Sequence, residues 1–294
     1  MVVYNSKVRK AFLAFSYVIL ILLFTAGLFP FFHVLALSFS SSAHAIGGDV
    51  VIWPVGFNME SYKRLLQQPD FAYSVLMTIK RIILGVTINF LLIVLSAYPL
   101  SKENRTFKLR TFYAWFFVIT ILFNGGLIPW YLTIKSYNLL DKVWALVLPG
   151  AVPVFSVMLL LNFFRGLPKE LEEAAVIDGA SHWGILWRIF IPVSKPALAT
   201  ITLFSFVGHW NSWFDGLILM NSVRNYPLQS FMQTFVIRSD TQLFSMKDLE
   251  VLKHASELTL KSALIVLGAL PIMILFPFLQ KFLSKGIVLG SVKQ

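Results

Sequence analysis

The amino-acid sequence predicts an all-α membrane protein built on about six transmembrane helices. Three observations predict it. The 294 residues are 57% hydrophobic and 13% charged, with a mean hydropathy of +0.74, against roughly 25% charge in a soluble domain. Apolar runs recur at the length of about 20 helical residues that a hydrocarbon core demands. The Lys and Arg residues crowd into alternate connecting segments, as membrane insertion requires.

The first run, Ala11–Phe32, follows Lys7, Arg9 and Lys10. Ala43-His44-Ala45 downstream loosely matches a signal-peptidase site, but residues 11–37 carry no charge, longer than the 7–15 residues of a signal-peptide core. An uncleaved first span is the reading. The second and third runs are Ile82–Leu100 and Phe112–Leu132, the fourth Val143–Phe164. The fifth, Ala197–Met220, holds Asp215 near one end, the one charged residue inside the six runs. Ser262–Leu279 is the sixth. Lys80 and Arg81 are read as marking the outer edge of the second span, and Asn89 as serving either packing or a pathway.

An even number of spans puts both termini on one side. Basic residues are about twice as dense in 1–10, 101–110, 165–196 and 281–294 as in 38–74, 133–142 and 221–261, which places the termini and the 165–196 insert in the cytoplasm. The net charge of +11 is mostly this topological bias, and calls for no nucleic acid. With no Cys in the chain, disulfides, thiol chemistry and Cys-ligated metals are excluded.

Asn124-Gly125-Gly126 with Pro129, Pro149-Gly150 with Pro153, and Pro271 with Pro277 interrupt the runs. Irregular backbone at membrane depth is tolerated only against protein or a water-filled cavity. The breaks therefore suit a bundle around a pathway, although Pro and Gly are also commoner in membrane helices generally. No internal repeat supports an inverted-repeat transporter.

The insert 165–192 contains EEAAVIDGASHWGILWRIFIP at 172–192. Glu172 and Glu173 open a helix-forming stretch after Pro168, where carboxylates complement the helix dipole. Gly179 can adopt a left-handed conformation, so a second short helix, about Ser181–Ile189, leaves at an angle. Pro192 then stops it. The product is a helix–turn–helix with Trp183, Ile185, Leu186 and Ile189 on one apolar side. By pattern alone it also suits an amphipathic helix lying on lipid. Glu172, Glu173 and Asp178 could be imagined as a metal cluster, but no pocket-forming pattern accompanies them.

Glu173-Ala174-Ala175, Gly179 and the closing Ile189-Phe190-Ile191-Pro192 resemble, in spacing and in position between the fourth and fifth spans, the EAA loop of ATP-binding-cassette importer permeases. The usual loop ends Ile-x-Leu-Pro, so Ile191 is a mild departure. Leu95–Ser101, Asn124–Leu132, Trp210-Asn211-Ser212-Trp213 and the tail Lys285–Lys293 resemble the sugar-importer branch, the maltose-type second permease. Within it the likeness is to a subgroup for complex, uronate-containing oligosaccharides. The resemblance covers nearly the whole chain and implies a single permease domain, 1–294, in the ABC type I importer permease fold, with 165–192 as the cytoplasmic coupling segment.

It further implies the partners: a second permease in a heterodimer, two copies of a cytoplasmic ATPase that bind ATP and Mg, an extracytoplasmic sugar-binding protein, and a bacterial cytoplasmic membrane. This chain itself would hold no cofactor and no metal. It has no Gly-Lys dipeptide and hence no G-x-x-x-x-G-K-[ST] phosphate loop. In the EAA role, Glu172, Glu173, Asp178 and Gly179 shape and orient the loop, Ala174 and Ala175 permit close approach, Trp183 fills a socket on the ATPase, and Pro192 closes the segment.

Candidate pathway residues are His209, Trp210, Asn211, Trp213 and Asp215 in the fifth span, with Asn124 and Asn162. As one helix, the fifth span would put His209 with Trp213, and Asn211 with Asp215, on shared faces. Aromatic faces beside amide and carboxylate groups suit a sugar. Interfacial anchoring for the tryptophans, a helix–helix hydrogen bond for Asn211 and a basic loop partner for Asp215 stand as alternatives. A proton-coupled carrier should bury an ionisable residue at mid-membrane, and the runs place none there; nothing in the sequence supports catalysis.

Overall fold

The computed structural model describes residues 7–238 and 256–291, with side chains described for 9–234 and 256–277. Every regular element among them is helical: α1 (Lys7–Ser38), α2 (Ser42–Gly47), α3 (Glu60–Gln67), α4 (Pro69–Ser101), α5 (Arg110–Leu122), α6 (Leu127–Ser136), α7 (Val143–Val147), α8 (Val154–Arg165), α9 (Lys169–Ile177), α10 (His182–Val193), α11 (Lys195–Asn211), α12 (Phe214–Leu219), α13 (Leu228–Arg238) and α14 (Glu257–Ser291). The ends of both termini and residues 292–293 of the tail motif lie outside the described residues, as does most of the 236–258 loop.

Three helices are long and apolar enough to cross a membrane unaided: Arg9–Ser38 within α1, α4, and Glu257–Pro277 within α14. Three further crossings are bent pairs. Helix α5 meets α6 at 115°, the stretch 143–150 meets α8 at 46°, and α10 meets α11 at 84°. Counted as one crossing each, the bent pairs bring the total to six, but α10 belongs to the 165–192 insert, and the fifth span expected from sequence, Ala197–Met220, covers α11 and α12 instead. At about 1.5 Å per residue, the 13 residues of α5 cover roughly 20 Å and need α6 to complete the depth.

Two of the three interruptions read from sequence are breaks, whereas Pro271 and Pro277 lie inside the continuous helix α14 and break nothing. At the first, Gly126 takes φ +88°, a region open to glycine, and its N–H donates to Asn124 Oδ1 at 2.9 Å. At the second, Pro149 and Pro153 remove two backbone donors. The α10–α11 turn is at Ser194, just before Pro196. Pro192, expected from sequence to stop the helix, does not. Its missing N–H follows a wider π turn over Leu186–Phe190, and the helix runs on to Val193.

The chain divides into two compact bodies, 1–69 with 234–270, and 70–233 with 271–294. In the first, the end of α1 packs against the loop that follows: Ala36, Leu37, Ala45 and Val50 form a small core. Phe39 stacks on Phe57 and Tyr62, and Ser61 donates to Thr259 at 2.9 Å. The membrane-depth part of α1 leaves Phe12, Phe15, Leu20 and Phe24 exposed, as a helix facing lipid or another subunit would.

Among the described residues the second body has two apolar cores. One joins Ile93, Val94 and Ala97 of α4 to Leu160, Leu161 and Phe164 of α8, Ala175 of α9, Ile185 and Phe190 of α10, and Ile201 of α11. The other gathers Met77, Ile134, Ala145, Leu146, Leu219 and Met220. Helix α4, 33 residues and about 50 Å long by its rise, serves both cores. It begins thirteen residues before the predicted Ile82 edge because Tyr73, Leu76 and Ile79 continue its apolar pattern.

Candidate functional site

Two constructions in the second body are candidates for function. One is a polar cavity, the other the α9–α10 hairpin.

The cavity, of about 690 Å³, is lined by polar groups of Arg81, Asn89, Ser156, Ser205, His209, Ser212 and Asp215, and by the rings of Trp130, Phe155 and Phe204. Arg81, Gly85 and Asn89 stand four residues apart, so α4 presents them on one face. Asn89 spends both amide hydrogens on carbonyls freed by the break before α8, Gly150 O at 2.8 Å and Ala151 O at 2.9 Å. Its Oδ1 then accepts from His209 Nε2 at 2.8 Å. The other ring nitrogen, Nδ1, accepts from Arg81 Nε at 3.5 Å. These partners fix a neutral imidazole with its hydrogen on Nε2.

The guanidinium of Arg81 ends the chain of contacts. Nη1 donates to Ser212 O at 3.4 Å and to Asp215 Oδ1 at 3.1 Å, and Nη2 pairs with Asp215 Oδ2. Asp215 Oδ1 also accepts from Ser212 Oγ at 2.8 Å and from Gly216 N at 2.9 Å. Arg81 is 3% exposed. A buried charge this deep requires such pairing, because an unpaired ion in low dielectric costs several kcal/mol.

The structure adds to the sequence reading of Arg81: it lies twelve residues inside α4 and pairs with Asp215, the charged residue of the fifth run. A single cation beside an apolar run reads as a boundary, and its partner stands 134 positions away. The stripe Arg81-Gly85-Asn89 is the signal that could have revealed it.

Of the pathway candidates, His209 and Asp215 line the cavity, whereas Trp210, Asn211, Trp213 and Asn124 are not among its lining residues. Trp210 is buried and stacks on Phe206. Asn211 and Trp213 are exposed, and Asn124 shapes its own turn. The predicted shared faces of His209 with Trp213 and of Asn211 with Asp215 do not form, because α11 ends at Asn211 and α12 starts afresh at Phe214. Asp215 has a basic partner, but on a helix rather than a loop.

Gly85 permits the close approach of α4 and α11. A Cβ there would overlap the His209 ring. Gly85→Val is expected to displace His209 and lower the melting temperature of the detergent-solubilised protein by several degrees, since overpacking costs about 1–3 kcal/mol. An unchanged melting temperature would show that the ring has room to move.

In the hairpin, α9 starts after Pro168, with Glu170 and Glu172 in its first turn. It ends in a Schellman motif: Ala180 N donates to Ala175 O at 2.9 Å and Gly179 N to Val176 O at 3.0 Å. Gly179 takes φ +78°, the left-handed conformation expected of it. Ser181 caps α10, its Oγ accepting from Gly184 N at 3.2 Å. The predicted apolar side divides: Ile185 and Leu186 are buried in the main core, while Trp183 is 60% exposed. Val176 and Ile177, which end α9, and Trp187 are exposed with it. Ala175 is buried, and Glu173, Ala174, Asp178 and Pro192 are on the surface.

Glu172 turns inward. It accepts from Lys102 Nζ at 2.7 Å, just past the end of α4, and that ammonium lies 4.0 Å from the Tyr98 ring centre and 4.2 Å from that of Phe190. Burial pulls the Lys102 ammonium below the usual lysine range, against the upward pull of Glu172. Arg165 Nη2 donates to Leu100 O at 3.1 Å, and Lys169 pairs with Glu103 on the surface. That pair holds the Glu103 carboxyl below, and Lys169 above, their ordinary ranges.

The family model for the binding-protein-dependent transport system inner membrane component matches residues 2–289. The chain belongs to this family. It is a multi-pass inner-membrane transport subunit whose system works with a binding protein. It is 39% identical to Protein LplC of Bacillus subtilis over 266 residues, 90% of this chain and 88% of that one. It is 35% identical to the polygalacturonan/rhamnogalacturonan transport system permease protein YtcP of the same organism, over 90% of this chain and 92% of that one. A chain in the crystal structure of a bacterial ABC transporter that imports the acidic polysaccharide alginate matches with a TM-score of 0.89. It is 31% identical, over 95% of this chain and 99% of that one.

Proposed function

We propose that this permease subunit belongs to an ATP-driven importer of oligosaccharides, including uronate-containing ones, and that its cavity is part of the sugar's path. The observation that carries the path reading is the lining itself. Three aromatic rings offer apolar faces to sugar C–H patches, and serines with the Asp215–Arg81–His209–Asn89 chain offer hydroxyl partners, the mixture that pockets for polar organic ligands use. Relatives named for pectin-derived and alginate substrates support the carbohydrate class. His209 and Asp215 are the path residues of the fifth span; Arg81, Asn89, Trp130 and Phe204 join them.

In this reading the α9–α10 hairpin faces the cytoplasm, as the basic residues around it favour. Its exposed Val176, Ile177, Trp183 and Trp187 enter a groove on one of two ATPase subunits, which bind ATP and Mg. A second permease completes the pathway. The binding protein delivers sugar from outside.

Co-purification from a mild detergent extract tests the assembly: a second six-span permease and an ATPase should accompany the tagged chain, and purification of the chain alone would refute it. Reconstituted with its partners and binding protein, the complex should take up galacturonate oligosaccharides with ATP. Phe204→Ala should lower uptake about tenfold, the equivalent of losing a ring contact of about 1.4 kcal/mol. Unchanged uptake would remove the cavity from the path.

A further inference from the structure

We propose that Lys102 is a positioning residue that ties the coupling hairpin to α4 and so carries hairpin motion to the cavity. The inference rests on the ATPase-docking reading and adds to it the element that moves. Lys102 follows directly on α4 and is 8% exposed. Its ammonium is held on three sides, by the Tyr98 ring of α4, the Phe190 ring of α10 and the Glu172 carboxylate of α9. One cation therefore joins three helices, in surroundings dry enough for cation–π contacts to exceed their surface strength.

Neighbouring contacts act in the same direction. Arg165 holds the Leu100 carbonyl and Arg110 Nη1 donates to the Lys102 carbonyl at 3.2 Å. The surface pair Lys169–Glu103 is screened and adds little. About three and a half and then nearly six turns back along the helix, the same α4 carries Asn89 and Arg81 into the cavity. A push on α9 or α10 would thus reach Arg81 and Asn89 through one continuous helix, with Pro99 near its end, rather than through loops. Glu172, read from sequence as shaping the loop, acts as the hairpin's side of the joint.

The chain has no cysteine, so one introduced thiol reports on the cavity. Phe204→Cys places it on the lining. In the co-purified complex, labelling of this chain by a maleimide should change when ATP and vanadate are added. With Lys102→Met in addition, the ATPase should still co-purify but the nucleotide-dependent change in labelling rate should shrink at least about fivefold, the lower range of site-to-site coupling.

Lys102→Arg, which keeps the charge and stacks on rings, should restore the change, and Glu172→Met added to Lys102→Met should deepen the loss no further. A full labelling response in an assembled Lys102→Met complex overturns the proposal while the docking reading stands. Absence of any ATPase from the wild-type complex overturns both. If Lys102→Met does not assemble, Glu172→Gln takes its place, and a full response there is equally fatal.

Discussion

Arg81→Met is expected to be the most damaging single substitution in the second body. It leaves Asp215 in the cavity wall without its bidentate partner and removes the donor to the Ser212 carbonyl at the α11–α12 break. Breaking a buried pair from one side costs about 3–5 kcal/mol. Asp215 keeps 18% side-chain exposure, so cavity water relieves part of the penalty and the lower end applies. Thermal unfolding in detergent should show a clear loss of melting temperature, with reduced recovery of assembled complex.

Arg81→Met with Asp215→Leu removes both charges and should recover a good part of that loss, since an apolar pair replaces a buried ionic one at little cost. A single variant as stable as the wild type would mean that the pair contributes nothing to the fold. A double variant that folds well but takes up no sugar would assign the pair to the path rather than to the frame.

The second large effect is expected at Gly179. A Cβ there meets nothing within 4 Å, although the residue sits at φ +78°. An L-residue in that conformation costs roughly 1–2 kcal/mol, less for Asn and Asp, so Gly179→Asp should insert and fold. Its carboxylate would then stand on the exposed tip between α9 and α10, beside Trp183 and Ile177. ATP-driven uptake should fall more than about tenfold, since a charge desolvated in a docking groove costs more than 1.4 kcal/mol. Gly179→Asn keeps the backbone preference without the charge and should retain most activity. Normal uptake by Gly179→Asp would show that the hairpin tip does not dock.

The hairpin was legible because its determinants are local. Pro168, the acidic first turn, Gly179 and Ser181 act within a few residues of themselves, and α9, the left-handed glycine and the cap on α10 stand where that grammar puts them. Burial on the hairpin was not legible in the same way. Trp183 and Ile185 look alike in a hydrophobic pattern, yet one is exposed and the other enters a core shared by α4, α8 and α11. That division depends on which helices arrive from elsewhere in the chain.

The cavity illustrates the same limit from the polar side. His209 and Asp215 stood out as polar groups in an apolar run, but the break at Ser212 removed the geometry assumed for them. Arg81 read as an edge and Asn89 as serving either packing or a pathway; folding brought them beside His209 across 128 and 120 positions.

By itself the sequence determined the membrane class, about six crossings, the breaks at Gly126 and at Pro149–Pro153, and the turn at Gly179. Those follow from composition, from run length against the bilayer and from φ preferences, all properties of neighbouring residues. Only the tertiary structure decided which charges are buried, what pairs with Arg81 and Lys102, and which apolar side chains remain free. A buried ion needs a partner, and the partner can stand anywhere in the chain that the packing of helices allows.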